Sequence, residues 1–262
     1  MSTALKDRLN GKLSQAQTTE LAEGRVITMP TNTSLSPSDT GYIALTTNAL
    51  DIISENLKNQ PLSHGLFDIV KSPSGGATVF SVPGISGEEA EKELTGIILA
   101  FTTPRAYWET AEPVEGEPPI CFSRDSLVSH EGKPCSRCQF NDFGSKNGGD
   151  SNGKACKESV LLYLLRPDNI IPLIVRVPVS SKLIFLRYTT RLVSSLTPIS
   201  GVVTRITLEK ATSKQGKPYA LYNFEAVSTL TPEEAANAKA YGQKFVELLN
   251  TTELDPMMAE AS

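Results

Sequence analysis

Histidine is nearly absent from this chain of 262 residues: only His64 and His130 occur, and neither stands beside a plausible nucleophile. Hydrolytic triads therefore have little to build on, and no enzymatic activity is expected. Tryptophan occurs once, as Trp108. Apolar runs are short, and none approaches the roughly 18 residues of a helical membrane span. The start Met1-Ser2-Thr3-Ala4-Leu5-Lys6-Asp7 has no apolar stretch of the secretory kind, so a cytoplasmic protein with no membrane partner is expected. Phosphate-binding glycine signatures are missing too. Gly144 to Gly149 does not spell G-x4-G-K-[ST], and Gly75-Gly76 opens no G-x-G-x-x-G. What is present is an ordinary globular composition, 39% hydrophobic and 21% charged.

Cysteine is scarce but concentrated. Cys121, Cys135, Cys138 and Cys156 all lie within 36 residues, and the other 226 residues hold none. Cys135-Ser136-Arg137-Cys138 is a C-x2-C knuckle, whose spacing lets two thiolates meet one tetrahedral ion. The loops to Cys121 and Cys156 are long enough to close the shell. The surrounding Gly, Asn and Ser residues offer little apolar matter to bury, so this loop needs a staple, and one structural zinc is the expected cofactor. Disulfides suit a secreted chain and are disfavoured here. An iron–sulfur centre is the lesser metal reading, and His130 is a spare ligand at most. Pro134 to Cys138 also spells the P-C-x-x-C half of zinc nucleobase deaminases. Those enzymes need an upstream H-x-E, however, and neither His64-Gly65-Leu66 nor His130-Glu131-Gly132 supplies it.

The net charge of −4 conceals a division. Residues 121–224 carry 15 Lys and Arg against 7 Asp and Glu, a surplus of +8, and both flanks are acidic. A basic middle between acidic ends is the asymmetry that bears on partners.

Periodicity predicts short helices around Leu5, Leu9 and Leu13 and over 47–59, and a strand at Val26 to Met29. Strands are expected at 64–70 and 78–82, and a helical turn at 88–93. Strands are also expected at 94–103, 120–124, 159–165 and 171–177. A helix follows, capped by Ser180, with Phe185, Tyr188, Leu192 and Leu196 on one face. A hairpin (202–209 with 219–227) and a last helix (232–249) complete the order. Strands, one helix, then a hairpin is the order of an OB fold. The expectation is thus a mainly β, α+β chain with an OB-like five-stranded barrel over 94–228, into which the zinc loop 121–156 is inserted. Residues 1–93 form an N-terminal accessory region, and 229–262 a C-terminal helix with an acidic tail.

Proteins that hold single strands pair stacking aromatics with phosphate-tracking cations. The candidates are Arg105, Tyr107 and Trp108 in the loop after residue 103, and Phe122, Arg124, Arg137, Phe140, Phe143, Lys146 and Lys154 around the cysteines. Arg205, Lys210, Lys214, Lys217, Tyr219 and Tyr222 complete the set on the hairpin. If the OB order holds, these three groups converge beside one barrel face.

The run Pro134-Cys135-Ser136-Arg137-Cys138-Gln139-Phe140-Asn141-Asp142-Phe143-Gly144-Ser145, with Gly153-Lys154-Ala155-Cys156-Lys157, resembles one carried by bacteriophage proteins of replication modules. Val203 to Ala211 resembles a second segment of those proteins. The resemblance covers roughly residues 120–225. It implies a zinc-bearing, single-stranded-DNA-binding protein acting in phage replication or recombination. The acidic segment Glu253 to Glu260 resembles tails that recruit replication or recombination proteins. A zinc-stapled adaptor or inhibitor of host proteins is the alternative reading, and a zinc-dependent enzyme acting on nucleic acid is the third.

Overall fold

A sheet whose strands alternate apolar residues to both faces must be covered on both sides, and this chain builds such a sheet. The computed structural model describes residues 41–45, 48–58, 66–70, 73–84, 86–110, 117–146, 153–213 and 216–250. The expectations at Leu5 to Leu13 and Val26 to Met29, residue Lys214 and the tail 253–260 lie outside them. The described strands are β1 (Ile69–Val70), β2 (Phe80–Gly84), β3 (Gly87–Glu91), β4 (Glu93–Thr102), β5 (Arg105–Tyr107) and β6 (Cys121–Ser123). After the cysteine loop come β7 (Lys157–Glu158), β8 (Val160–Leu165), β9 (Leu173–Val177), β10 (Val202–Thr212) and β11 (Pro218–Thr229). Three α-helices accompany them among the described residues: α1 (Ala49–Leu57), α2 (Val179–Ser194) and α3 (Pro232–Asn250). No helix among the described residues is long and apolar enough to cross a membrane.

The principal sheet has six strands in the order β1-β9-β8-β4-β10-β11, with β1 parallel to β9 and every other pair antiparallel. The fold is mixed α+β with a mostly sheet core, and the described strands do not close into a barrel. The reason lies in β8 and β9. Every residue of Val160–Leu165 and Leu173–Val177 is buried, so both faces of this sheet are covered by other elements. On one face Val160, Leu162, Leu164, Val175 and Val177 pack with Phe185, Tyr188 and Leu192 of α2, the stripe expected from the sequence except for Leu196. On the other, Leu161, Tyr163 and Ile174 pack with Ile53 of α1 and with Phe245 and Leu249 of α3. Gly242 permits a close approach there. A Cβ at this position would stand 2.6 Å from the Leu99 carbonyl oxygen, beside a bulge in β4 between Ile98 and Ala100.

Residues 88–93, expected as a helical turn, are instead β3 and the start of β4. Backbone pairing of Gly87–Glu91 with Phe80–Gly84 wins over a Glu-rich helical pattern that has no apolar face to bury. The boundary expected at 93/94 falls inside β4, after its first residue, and β1, from the N-terminal side of it, joins the same sheet as β9.

The cysteine loop enters through one long ladder. β4 pairs with β8 as far as Thr102 and Leu161, the Ser159 amide donates to the Pro104 carbonyl at 3.1 Å, and β5 then pairs with β7. The cysteine-bearing residues 108–156 are thus an excursion at the tip of the β4–β8 hairpin.

Candidate metal centre and nucleic-acid surface

Three short strands in the order β6-β5-β7 form the floor of this module. Directly paired residues of neighbouring strands point to the same face. Arg105 pairs with Ser123 and Glu158, and Tyr107 with Cys121. Cys156 lies one residue beyond the Ala106–Lys157 pair, on the other side of Tyr107. One face therefore carries Arg105, Tyr107, Cys121, Ser123 and Glu158, with Cys156 immediately before β7. The opposite face carries Ala106, Phe122 and Lys157.

The knuckle is built by local turns. Pro134 leads into a 3₁₀ turn over Cys135–Arg137, and the Cys138 amide donates to the Cys135 carbonyl at 3.3 Å. Asn141 Nδ2 donates to the same carbonyl at 3.0 Å. Backbone bonds from Cys135 to the Leu127 carbonyl and from Cys156 to the Phe140 carbonyl, both 2.8 Å, tie the cysteines to the rest of the module. Asp125 orders the loop before the knuckle. Its carboxylate accepts the amides of Leu127 and Val128 and the Ser123 hydroxyl, and the Leu127 bond foremost holds its pKa below the ordinary value.

All four cysteines are free thiols, with Cys135 and Cys156 buried. Burial pushes the Cys156 pKa up to about 11, the other three cysteines add to the rise, and Arg105 opposes it. Cys121 is likewise raised, first by burial and then by Cys138 and Cys135. The four thiols thus lie within electrostatic reach of one another. Among the described residues, though, no three His, Cys, Asp or Glu side chains close into a metal-holding group. The donor chemistry suits zinc, which takes thiolates in a tetrahedral shell.

The aromatic and basic candidates divide sharply. Tyr107 is buried and stacks on Phe140, with centroids 3.9 Å apart. Trp108 is also buried, its indole N–H donating to the Glu117 carbonyl at 2.9 Å. Tyr222 is wholly inside the main core, packed edge-on to Phe80. Arg105 is buried as well, against Ser126 and Glu158. These residues are inside because they bridge the module's short strands or the main core, where apolar area is gained. Phe122 is half-buried and stacks on His130, which occupies the ring that an open platform would need.

What faces solvent is a smaller set. Phe143 is 78% exposed, and the Lys154 ammonium lies 4.6 Å from its ring centroid while donating to Asn141 Oδ1. Lys146 stands against Lys157, whose pKa is pushed down by burial and by that neighbouring ammonium. Arg137 is exposed and Arg124 half-buried.

The hairpin set stands apart. β10 pairs with β4 from Val203–Ile97 to Thr207–Glu93, so the rest of β10 runs past the start of β4, away from the module at its far end. Lys210 and Lys217 are exposed and Tyr219 half-buried near that distant tip, and Arg205 is paired with Glu225 at 2.8 Å. The convergence of all three groups on one face is not observed.

Sequence reading missed the ion cluster of Arg105, Glu158 and Lys182, which links the module to α2. It also missed an apolar stripe on the outer side of α2, where Val179, Leu183, Leu186 and Val193 are exposed. The stripe's 4-3-7 spacing was visible but is overshadowed by the stronger buried face of the same helix. Comparison of the chain with protein-family models, curated proteins and solved structures finds no match.

Proposed function

We propose that this chain binds single-stranded DNA with little sequence preference, through the exposed surface of the cysteine module, with its four cysteines holding one structural zinc. The observation that carries the reading is Phe143, an aromatic ring at 78% exposure with a lysine ammonium at 4.6 Å and two further lysines, Lys146 and Lys157, set side by side on the same module. A base can stack on the ring and phosphates can relieve the lysine pair. Two adjacent ammoniums gain from a shared anion. Binding of this kind needs no closed barrel, so it does not depend on an OB fold. The role is one of binding rather than of catalysis, and the resemblance of 134–157 to phage replication proteins points the same way.

The test is fluorescence anisotropy of a labelled oligothymidine with the zinc-loaded chain across a salt series. Binding should weaken steeply with salt, and Lys146→Ala with Lys157→Ala should flatten the slope by roughly 0.7 for each phosphate that is no longer neutralised. No binding at low salt would end the proposal.

A second reading, a protein-binding adaptor, is favoured by the α2 stripe. Its exposed apolar residues are accompanied by Lys182, Arg187 and Arg191, and α2 has no carboxylate. Such a face suits an acidic amphipathic segment of another protein.

A further inference from the structure

Arg105 lies on the cysteine-bearing face of the module's small sheet, 9% exposed. Its Nε donates to Ser126 Oγ at 3.1 Å, and its Nη2 meets Glu158 Oε2 at 3.1 Å. Its Nη1 is buried with no partner. A buried donor without a partner is costly, more so when it is charged, so this N–H wants an acceptor. Glu158 cannot supply the whole need, because Lys182 also pairs with it. Two cations thus share one carboxylate, leaving a local surplus of positive charge. The missing acceptor is at hand. Cys156 immediately precedes the edge strand β7, two residues before Glu158, and Arg105 is the residue paired with Glu158. Four thiolates around one zinc ion carry a net charge of −2, which the module must neutralise from outside the shell.

We propose that Arg105 is the outer-shell partner of the metal centre, its Nη1–H donating to the Sγ of Cys156 when that cysteine is a metal-bound thiolate. The inference rests on the zinc reading above and adds to it the residue that balances the charge of the site. Ser126 and Glu158 then serve to aim the guanidinium. Ser126 is itself held in a left-handed conformation, φ 63°, and its hydroxyl bonds the Thr103 carbonyl at the break between β4 and β5.

The experiment uses the full chain purified with zinc and measures zinc transfer to a competing chelator. It also records the thiolate-to-metal charge-transfer bands after cobalt substitution. The unaltered chain comes first: about one zinc per chain and intense cobalt–thiolate bands are expected, and their absence overturns the zinc reading and this inference together. With that established, Arg105→Met should weaken zinc retention by about 10- to 100-fold, as loss of an outer-shell partner does. Its charge-transfer bands should move to lower energy, because an undonated thiolate gives up its electrons more readily. Arg105→Lys keeps the charge and should recover part of the affinity, which covers the case in which the methionine variant fails to fold. Glu158→Gln removes the ion pair but keeps the guanidinium, and should retain zinc within a few-fold of the unaltered chain. Zinc retention and cobalt bands unchanged in folded Arg105→Met and Arg105→Lys would overturn the inference. So would equal loss in Arg105→Met and Glu158→Gln with the bands unmoved, since that is the signature of a purely structural ion pair.

Discussion

The ring of Phe140 lies flat on that of Tyr107, at 3.9 Å between centroids and 12° between planes. Two aromatics that the sequence offers as stacking platforms for bases thus occupy each other. Tyr107 pairs with Cys121, and the Phe140 carbonyl receives the Cys156 amide, so the stacked pair is tied to two of the cysteines. Phe140→Ala should therefore loosen the module. We expect a loss on the order of 1–2 kcal/mol, less than for a fully buried phenylalanine because Phe140 is only half-buried. Zinc release should be faster, with the affinity of the zinc-saturated chain for oligothymidine unchanged. A drop in that affinity at unchanged zinc content would return Phe140 to the binding surface.

Trp108 and Phe143 should fail in opposite ways. Trp108 is buried with its N–H satisfied, so Trp108→Ala should cost about 3–5 kcal/mol of stability and leave the folded fraction able to bind. Phe143→Ala should leave the melting temperature almost unchanged and weaken single-strand binding by about 1–3 kcal/mol, with no change in salt slope. Thermal melting and anisotropy on the two variants check both halves. A Phe143→Ala chain that melts early but binds normally would remove the platform from the proposed surface.

Much of the scaffold was legible because local patterns carried it. The apolar runs at 159–165 and 171–177 are β8 and β9, the 202–227 hairpin is β10 and β11, and the Phe185, Tyr188, Leu192 face of α2 is buried. The open sheet in place of the expected barrel was not legible, because element order alone does not say whether strands meet edge to edge. That is decided by long-range pairing, here β1 lying parallel to β9 and β4 inserted between β8 and β10. The same holds for the candidate surface. The types and spacing of Trp108, Tyr107 and Arg105 are those of a binding loop. The burial of Arg105 and Tyr107 follows from β5 being the central strand of the small sheet, a fact of pairing that no single stretch of residues records.

Gly242 marks where α3 touches the sheet most closely. An added methyl would meet the backbone carbonyl of Leu99 at 2.6 Å, and a backbone oxygen cannot swing aside as a side-chain tip can. Gly242→Ala should cost about 1–3 kcal/mol despite the better helix propensity of alanine. Chemical denaturation would measure it, and a variant as stable as the parent would mean that α3 stands farther from the β4 bulge.

Alkaline pH should unfold the chain earlier than its carboxylates or lysines would suggest. Burial pushes the hydroxyls of Tyr42 and Tyr241 up to about 12, from an ordinary value of 10.0. Tyr241 also donates its hydroxyl hydrogen to the Ile170 carbonyl, a bond that a phenolate cannot make. The folded state thus holds these protons more tightly than the unfolded chain does. Below pH 10 both states are protonated and the stabilisation is complete. Between about pH 10 and 12 the unfolded chain ionises first, so stability falls as pH rises through that window. Urea midpoints measured from pH 9 to 11.5 should decline accordingly. Tyr241→Phe removes one of the groups titrating in this window, so its midpoint should start lower, for loss of the Ile170 bond, and then decline less steeply. An alkaline limb as steep in Tyr241→Phe as in the parent would show that Tyr241 does not contribute to this pH dependence.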